Sequence, residues 1–547
     1  LIKIRKLKSN LNIWAIFSFI LVLFVLLPNV NIFINIFNKP NENWHHIKAY
    51  LLKDYIINSM MLIGFTGTLT SIIGTSLAWI ISAYDFPFKV FLKWGLILPL
   101  AIPPYIAAYT YNGLLNYTGV IQSFLRNTYN IYLDQKYFNV MSMKGAIFIF
   151  TIFLFPYVYI ITKSFLEKQS ASLIETARVL GRTPFEIFLY VVFPISRGAI
   201  VGGVSLVILE VLNDYGVVKY FGIPTFSTAI FKTWFAMGDI DSAVKLASIL
   251  MVFVFGILVL EKLLRGRKKF SYTTSKIRPI KPIKLEGIKG ILAFGYCFII
   301  FSLGFLIPTF QLTHWTFLSY KKVFSMKFLE MLFNSLWIAF VSAGFIVIMA
   351  IVIANYCRIQ EGFISKIYSK VTAVGYSIPG AVIAVGVIVF FVNLDNRLYG
   401  FYKMIDPNSS KLVLSTSIVM LIFAYIIRFL AIGYNSIESG FEKIGKRFFE
   451  ASRTLGMNVI QTFFKVDLKM IKPAIVSAFV LVFVDILKEL PLTLILRPFN
   501  FNTLATKSFE YANDEMIHEA SISSLIIILV SVVSIYFFYK VGDKEEK

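Results

Sequence analysis

Apolar runs of about 20 residues recur along this chain, separated by short polar loops. A run of that length, coiled as a helix, crosses a hydrocarbon core roughly 30 Å thick. Twelve such runs can be marked, near residues 14–36, 56–83, 92–115, 144–162, 197–215, 243–261, 290–309, 330–356, 370–394, 412–433, 473–495 and 521–540. The pattern predicts an all-α polytopic membrane protein with about twelve transmembrane helices. The first run follows a basic stretch, Leu1 to Lys8. A signal peptide starts the same way, but no small-residue cleavage site follows, so a first transmembrane helix is expected here. The missing initiator Met suggests a trimmed or alternatively started chain.

Two polar islands interrupt the apolar pattern and nearly repeat each other. Glu175-Thr176-Ala177-Arg178-Val179-Leu180-Gly181 is followed 275 residues later by Glu450-Ala451-Ser452-Arg453-Thr454-Leu455-Gly456. The register holds to Ala199-Ile200 and Ala474-Ile475. Asn58-Ser59 and Asn334-Ser335, Ala78 and Ala354, and Ile102-Pro103 and Ile378-Pro379 repeat at an offset of 276. Each half thus carries six spans in the same order. Six is even, so the second half enters the membrane in the same direction, giving two parallel six-helix repeats. The expected division is a first half at 1–261, a basic linker at 262–289 and a second half at 290–547. Prolines and charges in the linker (Arg265, Arg267, Lys268, Arg278-Pro279, Lys281-Pro282) suit a tether, with lipid contact or regulation as the other reading.

Composition agrees with this picture. The chain is 57% hydrophobic, with a mean hydropathy of +0.74 and a formal charge of +23. The positive charge lies in short loops between spans, which points to topology and anionic lipid rather than nucleic acid. With the N-terminus placed in the cytoplasm, cytoplasmic segments carry more than twice the Lys and Arg of the outer loops. That bias places both termini and both polar islands on the cytoplasmic side. Cys297 and Cys357 are too few and too far apart for a disulfide framework or metal cluster. His45-His46 read as a solvated loop pair.

Each island has the grammar of a short helix and a sharp turn. Ser172 and Glu175 have capping-box spacing, and Gly181 can take positive φ and end the helix. Pro184 then suits the first turn of a second helix. Leu173, Ala177 and Leu180 would form an apolar face able to enter a groove on another protein. A lone helix of this kind could be only an interfacial anchor; two in register on one side point to docking. The segments resemble the coupling helices of ATP-binding-cassette importer permeases, whose loop reads roughly Glu-Ala-Ala, three residues, Gly, then Ile-x-Leu-Pro. The glutamates and glycines match in both halves; the trailing proline is Pro194 in the first and Lys469 in the second. The resemblance implies a type I importer fold in which Glu175, Ala177, Arg178, Leu180, Gly181, Glu450, Ala451, Arg453, Leu455 and Gly456 meet two ATPase subunits. It also implies that this chain is no enzyme and binds no cofactor, ATP and Mg residing on the partners. Gly440, Gly445 and Lys446 mimic phosphate-loop spacing, but Arg447 stands where Ser or Thr must hold Mg²⁺, and a span rather than a strand precedes them.

The spans after the islands carry acids: Glu210 and Asp214 in the first half, Asp485 and Glu489 in the second. Each pair is four residues apart, on one helix face, and ionisable groups at such depth call for a functional hypothesis. Four carboxylates can line a path for a hard cation, a transient metal contact at most. Equally, they can sit at the outer mouth or pair internally, with Asn213 and Lys488 beside them. Pro491 would break its helix next to Glu489 and suits a gate.

The stretch from Lys488-Glu489-Leu490-Pro491 to Leu504-Ala505-Thr506 resembles the ferric-iron importer permeases of bacteria. So do Asp214-Tyr215-Gly216, Tyr220 to Phe226, Trp234-Phe235, and Leu98 to Tyr105. The resemblance implies iron translocation across the bacterial cytoplasmic membrane by alternating access, with an extracytoplasmic iron-binding protein delivering cargo. The same machine carrying thiamine or a phosphonate, or a proton-coupled carrier using the four acids as a relay, are the rival readings.

Overall fold

The computed structural model describes residues 13–35, 39–167, 172–265, 281–360 and 362–546. In the first half, the main helices are α1 (Ile13–Asn35), α2 (Leu52–Ala83), α3 (Pro104–Leu115), α4 (Met143–Glu167), α5 (Ser172–Val179), α6 (Phe193–Asn213) and α7 (Ile240–Arg265). In the second they are α8 (Ile288–Phe301), α9 (Ile307–Val323), α10 (Met326–Ile359), α11 (Gly380–Ile405), α12 (Ile418–Ile444), α13 (Arg447–Thr454), α14 (Lys472–Lys488) and α15 (Ile517–Glu546). Among the described residues nine continuous helical segments are long and apolar enough to cross a membrane, or eleven if two sharply bent pairs each count as one span. The remaining expected span is α1, whose apolar stretch Trp14–Pro28 is shorter.

Prolines explain where the helices depart from the apolar runs. The run at 92–115 is bent by 95° between Lys89–Ala101 and Pro104–Tyr129. The run at 370–394 is no single helix. Phe363–Val374 gives way to a 3-10 turn at Gly375–Ser377, and α11 starts only after Pro379. Proline lacks the N–H that a continuing helix needs and disfavours helical backbone in the residue before it.

The repeat is visible in the packing. α2, α4 and α6 pack against one another in the first half, and α10, α12 and α14 do so in the second. Close approach is achieved by complementary volumes. A Cβ on Gly74 would lie 2.7 Å from the Val158 Cβ, and one on Gly203 would lie 2.7 Å from its Cα. The equivalent positions in the second half are Ala350, Ala478 and Gly433, all buried. Two glycines around a valine have become two alanines around a glycine. In lipid, such van der Waals fit is a main source of helix association.

The halves are interlocked. α1 packs on α10 and α11 of the second half, while α8 packs on Lys89–Gly95 and α9 on α3 of the first. The Tyr111 hydroxyl donates to the Leu303 carbonyl at 2.5 Å, and Ser76 meets the Tyr296 hydroxyl at 2.7 Å. α7 runs on to Arg265, past the expected boundary. The linker's residues 266–280 lie outside the described residues. Its far end is stitched back: β2 (Ile283–Lys284) pairs in parallel with β1 (Tyr84–Asp85).

Candidate functional site

The two islands fold alike. α5 and α13 occupy equivalent positions, and each is followed by a left-handed glycine, Gly181 at φ 79° and Gly456 at φ 84°. Behind each turn the chain closes a Schellman-type pair: Arg182 N–H donates to Ala177 O at 3.1 Å, and Met457 N–H to Ser452 O at 3.2 Å. α5 is described from Ser172 itself, and the residue before it lies outside the described residues. The next helix, Pro184–Ile187, starts with a reciprocal capping box between Thr183 and Glu186. Its counterpart, Val459–Thr462, keeps the box with Asn458 and Gln461, so Met457-Asn458-Val459 replaces Arg-Thr-Pro without losing the cap. Then come matching π-helical turns, Phe188–Val192 and Phe463–Asp467. Pro194 lies in the first turn of α6; in the second half Pro473 takes that role, after a bend of 71° between Val459–Met470 and α14.

Glu175, Glu450, Ala451, Arg453, Leu455 and Gly456 are exposed, as are Leu180 and Gly181, and Arg178 is half-buried. Leu180 and Leu455 are 76% and 80% exposed, which leaves an apolar knob at each turn. Ala177 is a correction. It is buried together with Ile174 against its own half, as Ser452 is in the second copy. The outward apolar face is therefore formed by Leu173, Val179 and Leu180 in α5 and its turn, and by Phe448 and Leu455 in the other. The phosphate-loop mimic straddles the end of α12, which Gly445 stops at φ 67° with its amide bonded to the Phe441 carbonyl.

From each island one span leads to a common cavity, with α6 covering about 30 Å at 1.5 Å per residue. Glu210, Asp214, Asp485, Glu489 and Pro491 all line this cavity of about 120 Å³. Both helices break at the same place. α6 ends at Asn213 and a short helix restarts at Gly216; α14 ends at Lys488 and another restarts at Pro491. The second acid of each pair caps the restarted helix. Asp214 Oδ1 accepts from the Val217 amide at 2.9 Å, and Glu489 Oε1 from the Leu492 amide at 3.1 Å.

The other polar contacts tie one half to the other. Tyr376 donates its hydroxyl to Glu210 Oε1 at 2.6 Å. The Gly380 amide donates to Asn213 Oδ1 at 2.6 Å. Lys488 Nζ donates to the Leu100 carbonyl at 3.2 Å and stands 3.9 Å from Asp485. Within the second half, Arg428 Nε donates to Glu489 Oε2 at 3.1 Å, and its Nη1 to Ile378 O at 3.0 Å. Arg428 and Glu489 are both buried. The four acids thus each meet separate protein donors or cations. Among the described residues no group of three or more His, Cys, Asp or Glu side chains is placed to hold a metal ion.

A family model described as "Binding-protein-dependent transport system inner membrane component" matches residues 74–261 and 344–545, more than half of the chain. This chain belongs to that family. The two matched blocks fall one in each half of the permease. The chain is similar to the Fe(3+)-transport system permease protein FbpB 2 of Haemophilus influenzae, at 26% identity over 89% of this chain and 90% of that protein. It is similar to the ferric transport system permease protein FbpB of Actinobacillus pleuropneumoniae, at 21% identity over 97% of this chain and 78% of that one. A probable sulfate transport system permease protein cysT of Prototheca wickerhamii is 30% identical, but over 27% of this chain and 54% of its own length.

Arg428 is a site residue that the duplicated motifs do not point to, and placing it within a span leaves the bias of Lys and Arg above two to one. The signal was present: a lone charge within the apolar run at 412–433. Tyr376 and Tyr157, which also line the cavity, give no such signal in a chain with 28 tyrosines. His45 and His46 are exposed, and both cysteines are free.

Proposed function

We propose that this permease carries ferric iron inward across the bacterial cytoplasmic membrane, with both termini and both islands on the cytoplasmic side. An extracytoplasmic binding protein delivers the ion, and two separate ATPase subunits dock on α5 and α13. The observation that carries the reading is the extent of the likeness to the Haemophilus Fe(3+) permease, 90% of whose length is covered. A cavity lined by four carboxylates supports it, since hard cations prefer oxygen ligands.

The mechanism rests on the permease's own residues. The exposed knobs at Leu180 and Leu455 give each ATPase a rigid purchase, because the glycine turns behind them are hydrogen-bonded shut. Movement of α5 or α13 passes along α6 or α14 to the cavity. There the Tyr376–Glu210, Gly380–Asn213 and Lys488–Leu100 contacts close one half on the other. Rocking the halves apart breaks these contacts together and frees Glu210 and Asp485 to face the ion. The permease itself holds no nucleotide and makes no covalent bond.

The test is uptake of radiolabelled ferric iron by cells expressing the permease with its ATPase and binding protein. Iron uptake that requires the ATPase supports the proposal. Uptake that persists without the ATPase and collapses with an uncoupler would replace it with a proton-coupled carrier. Uptake of thiamine or a phosphonate, with iron excluded, would change the cargo.

A further inference from the structure

The second island is fastened to the spans by a device that the first lacks. Arg358, at the end of α10, donates from Nη2 to Asp467 Oδ2 at 2.6 Å. Asp467 closes the π turn that follows α13. The side chains are 9% and 1% exposed. The guanidinium carbon also lies 4.3 Å from the ring centre of Phe441, at the end of α12, and 5.4 Å from that of Phe449, in α13. One side chain therefore touches two spans' ends, the docking helix and its return turn.

The same four positions in the first half are Ser82, Leu166, Ile174 and Val192. All four are buried and none is charged. That half forms the same helix, glycine turn, capped helix and π turn with no ion pair at these four positions; its Arg182–Glu186 pair lies at the capped helix itself. A buried charge pair between the span end and the π turn is therefore not required to build this fold. A buried ion pair is weak evidence for stability, because desolvation offsets attraction; its best-attested use is to fix one geometry. A guanidinium suits this, being planar, permanently charged and able to stack on rings.

We propose that Arg358 and Asp467 are the positioning pair that makes α13 move as one body with α10 and α12, so that the second island transmits force more stiffly than the first. The proposal rests on the reading of α13 as an ATPase docking helix. The pair is joined by a single hydrogen bond: Arg358 Nη1 and Asp467 Oδ1 have no hydrogen-bond partner among the described residues. A second bond between the same groups would satisfy both.

The experiment uses the assembled transporter in lipid vesicles, with ATPase and binding protein, and reads the ratio of iron moved to ATP hydrolysed. Arg358→Ser with Asp467→Val copies the first half and should insert normally. Its ratio is expected to fall at least fivefold, with ATPase subunits still bound. The exchanged pair, Arg358→Asp with Asp467→Arg, should recover part of the ratio. A purely structural role would lower the amount of transporter and leave the ratio unmoved. An unchanged ratio in the Ser/Val variant overturns the proposal. If that variant fails to insert, Arg358→Lys keeps the charge without the planar fork; a ratio at least twofold lower supports the proposal, and an unchanged one overturns it. Should wild-type uptake need no ATPase, the docking reading fails instead, and the two failures are told apart.

Discussion

Lys488 reaches from the second half to the first, donating its ammonium to the backbone carbonyl of Leu100 at 3.2 Å. Its equivalent in the first half is Asn213, which accepts from the Gly380 amide across the same boundary. The residue matching Gly380 is Pro104. Proline has no N–H to offer, so an asparagine there would be left without a donor, and a lysine aimed at a nearby carbonyl replaces it. The two contacts are one latch written in two chemistries. Removing one, by Asn213→Ala or Lys488→Met, should loosen the closed cavity by about 1 kcal/mol, the usual net worth of a hydrogen bond. That corresponds to a roughly fivefold shift in population, measurable as faster labelling of a cysteine placed at Leu154 in the cavity wall.

The Arg428–Glu489 pair is buried on both sides. Breaking such a pair by removing one partner typically costs about 3–5 kcal/mol, because the survivor is an uncompensated charge. Arg428→Gln should lower the thermal midpoint of the purified permease, and Arg428→Gln with Glu489→Gln should recover most of it. A double variant as unstable as the single one would mean that Arg428 acts through Ile378 rather than Glu489.

Glu210 has no cation within ion-pair distance among the described residues and is held by the Tyr376 hydroxyl. Glu210→Gln keeps shape and hydrogen bonding but deletes the charge. Iron uptake is expected to fall about tenfold, if charge loss costs about 1.4 kcal/mol at the barrier, while ATPase subunits still co-purify. An unchanged rate would remove Glu210 from the path.

Gly181 and Gly456 hold φ values of 79° and 84°, in open space. Proline cannot adopt them, since its ring fixes φ near −65°. The double variant Gly181→Pro with Gly456→Pro should reach the membrane at wild-type levels yet lose both uptake and ATPase co-purification. Retained transport would separate these turns from docking.

Asp239 closes a polar knot just before α7. Burial pushes its carboxyl upward, but bonds from the Ser242 amide and from the Asn43 and Asn41 side chains outweigh this and hold it below the usual carboxylate value. A depressed folded value contributes stability above the unfolded pKa of about 3.9, and that stability is lost as pH falls through the folded value. Acid melting curves should show this loss in the native permease and a flatter profile in Asp239→Asn.

Much of this architecture was legible because its causes are local or periodic. Apolar length marks the spans, and the repeated Glu-x-x-Arg-x-Leu-Gly and its glycine mark the islands. The acids at 210, 214, 485 and 489 were found because charge is conspicuous among apolar neighbours. What escaped depends on the partner across the boundary. Ala177 looked like part of a docking face, but the turn of α5 rotates it onto its own half. In the run at 370–394 Pro379 marks a kink, as Pro103-Pro104 does in the first half, but apolar length does not show that the helix before it already ends at Val374. Arg358 carries no mark of its own at the end of an apolar run; only the fold shows Asp467 against it.

The exchange of α1 for α8 and α9 between halves has a consequence for heredity. Two lobes clasped by swapped arms do not need a covalent bridge to stay together. Cutting the gene between residues 266 and 280 should yield two polypeptides that still find each other, because the first arm belongs to one and its seat to the other. Joining them guarantees equal numbers of each, and it lets the two lobes drift apart in sequence, as valine and glycine have already done at 158 and 433.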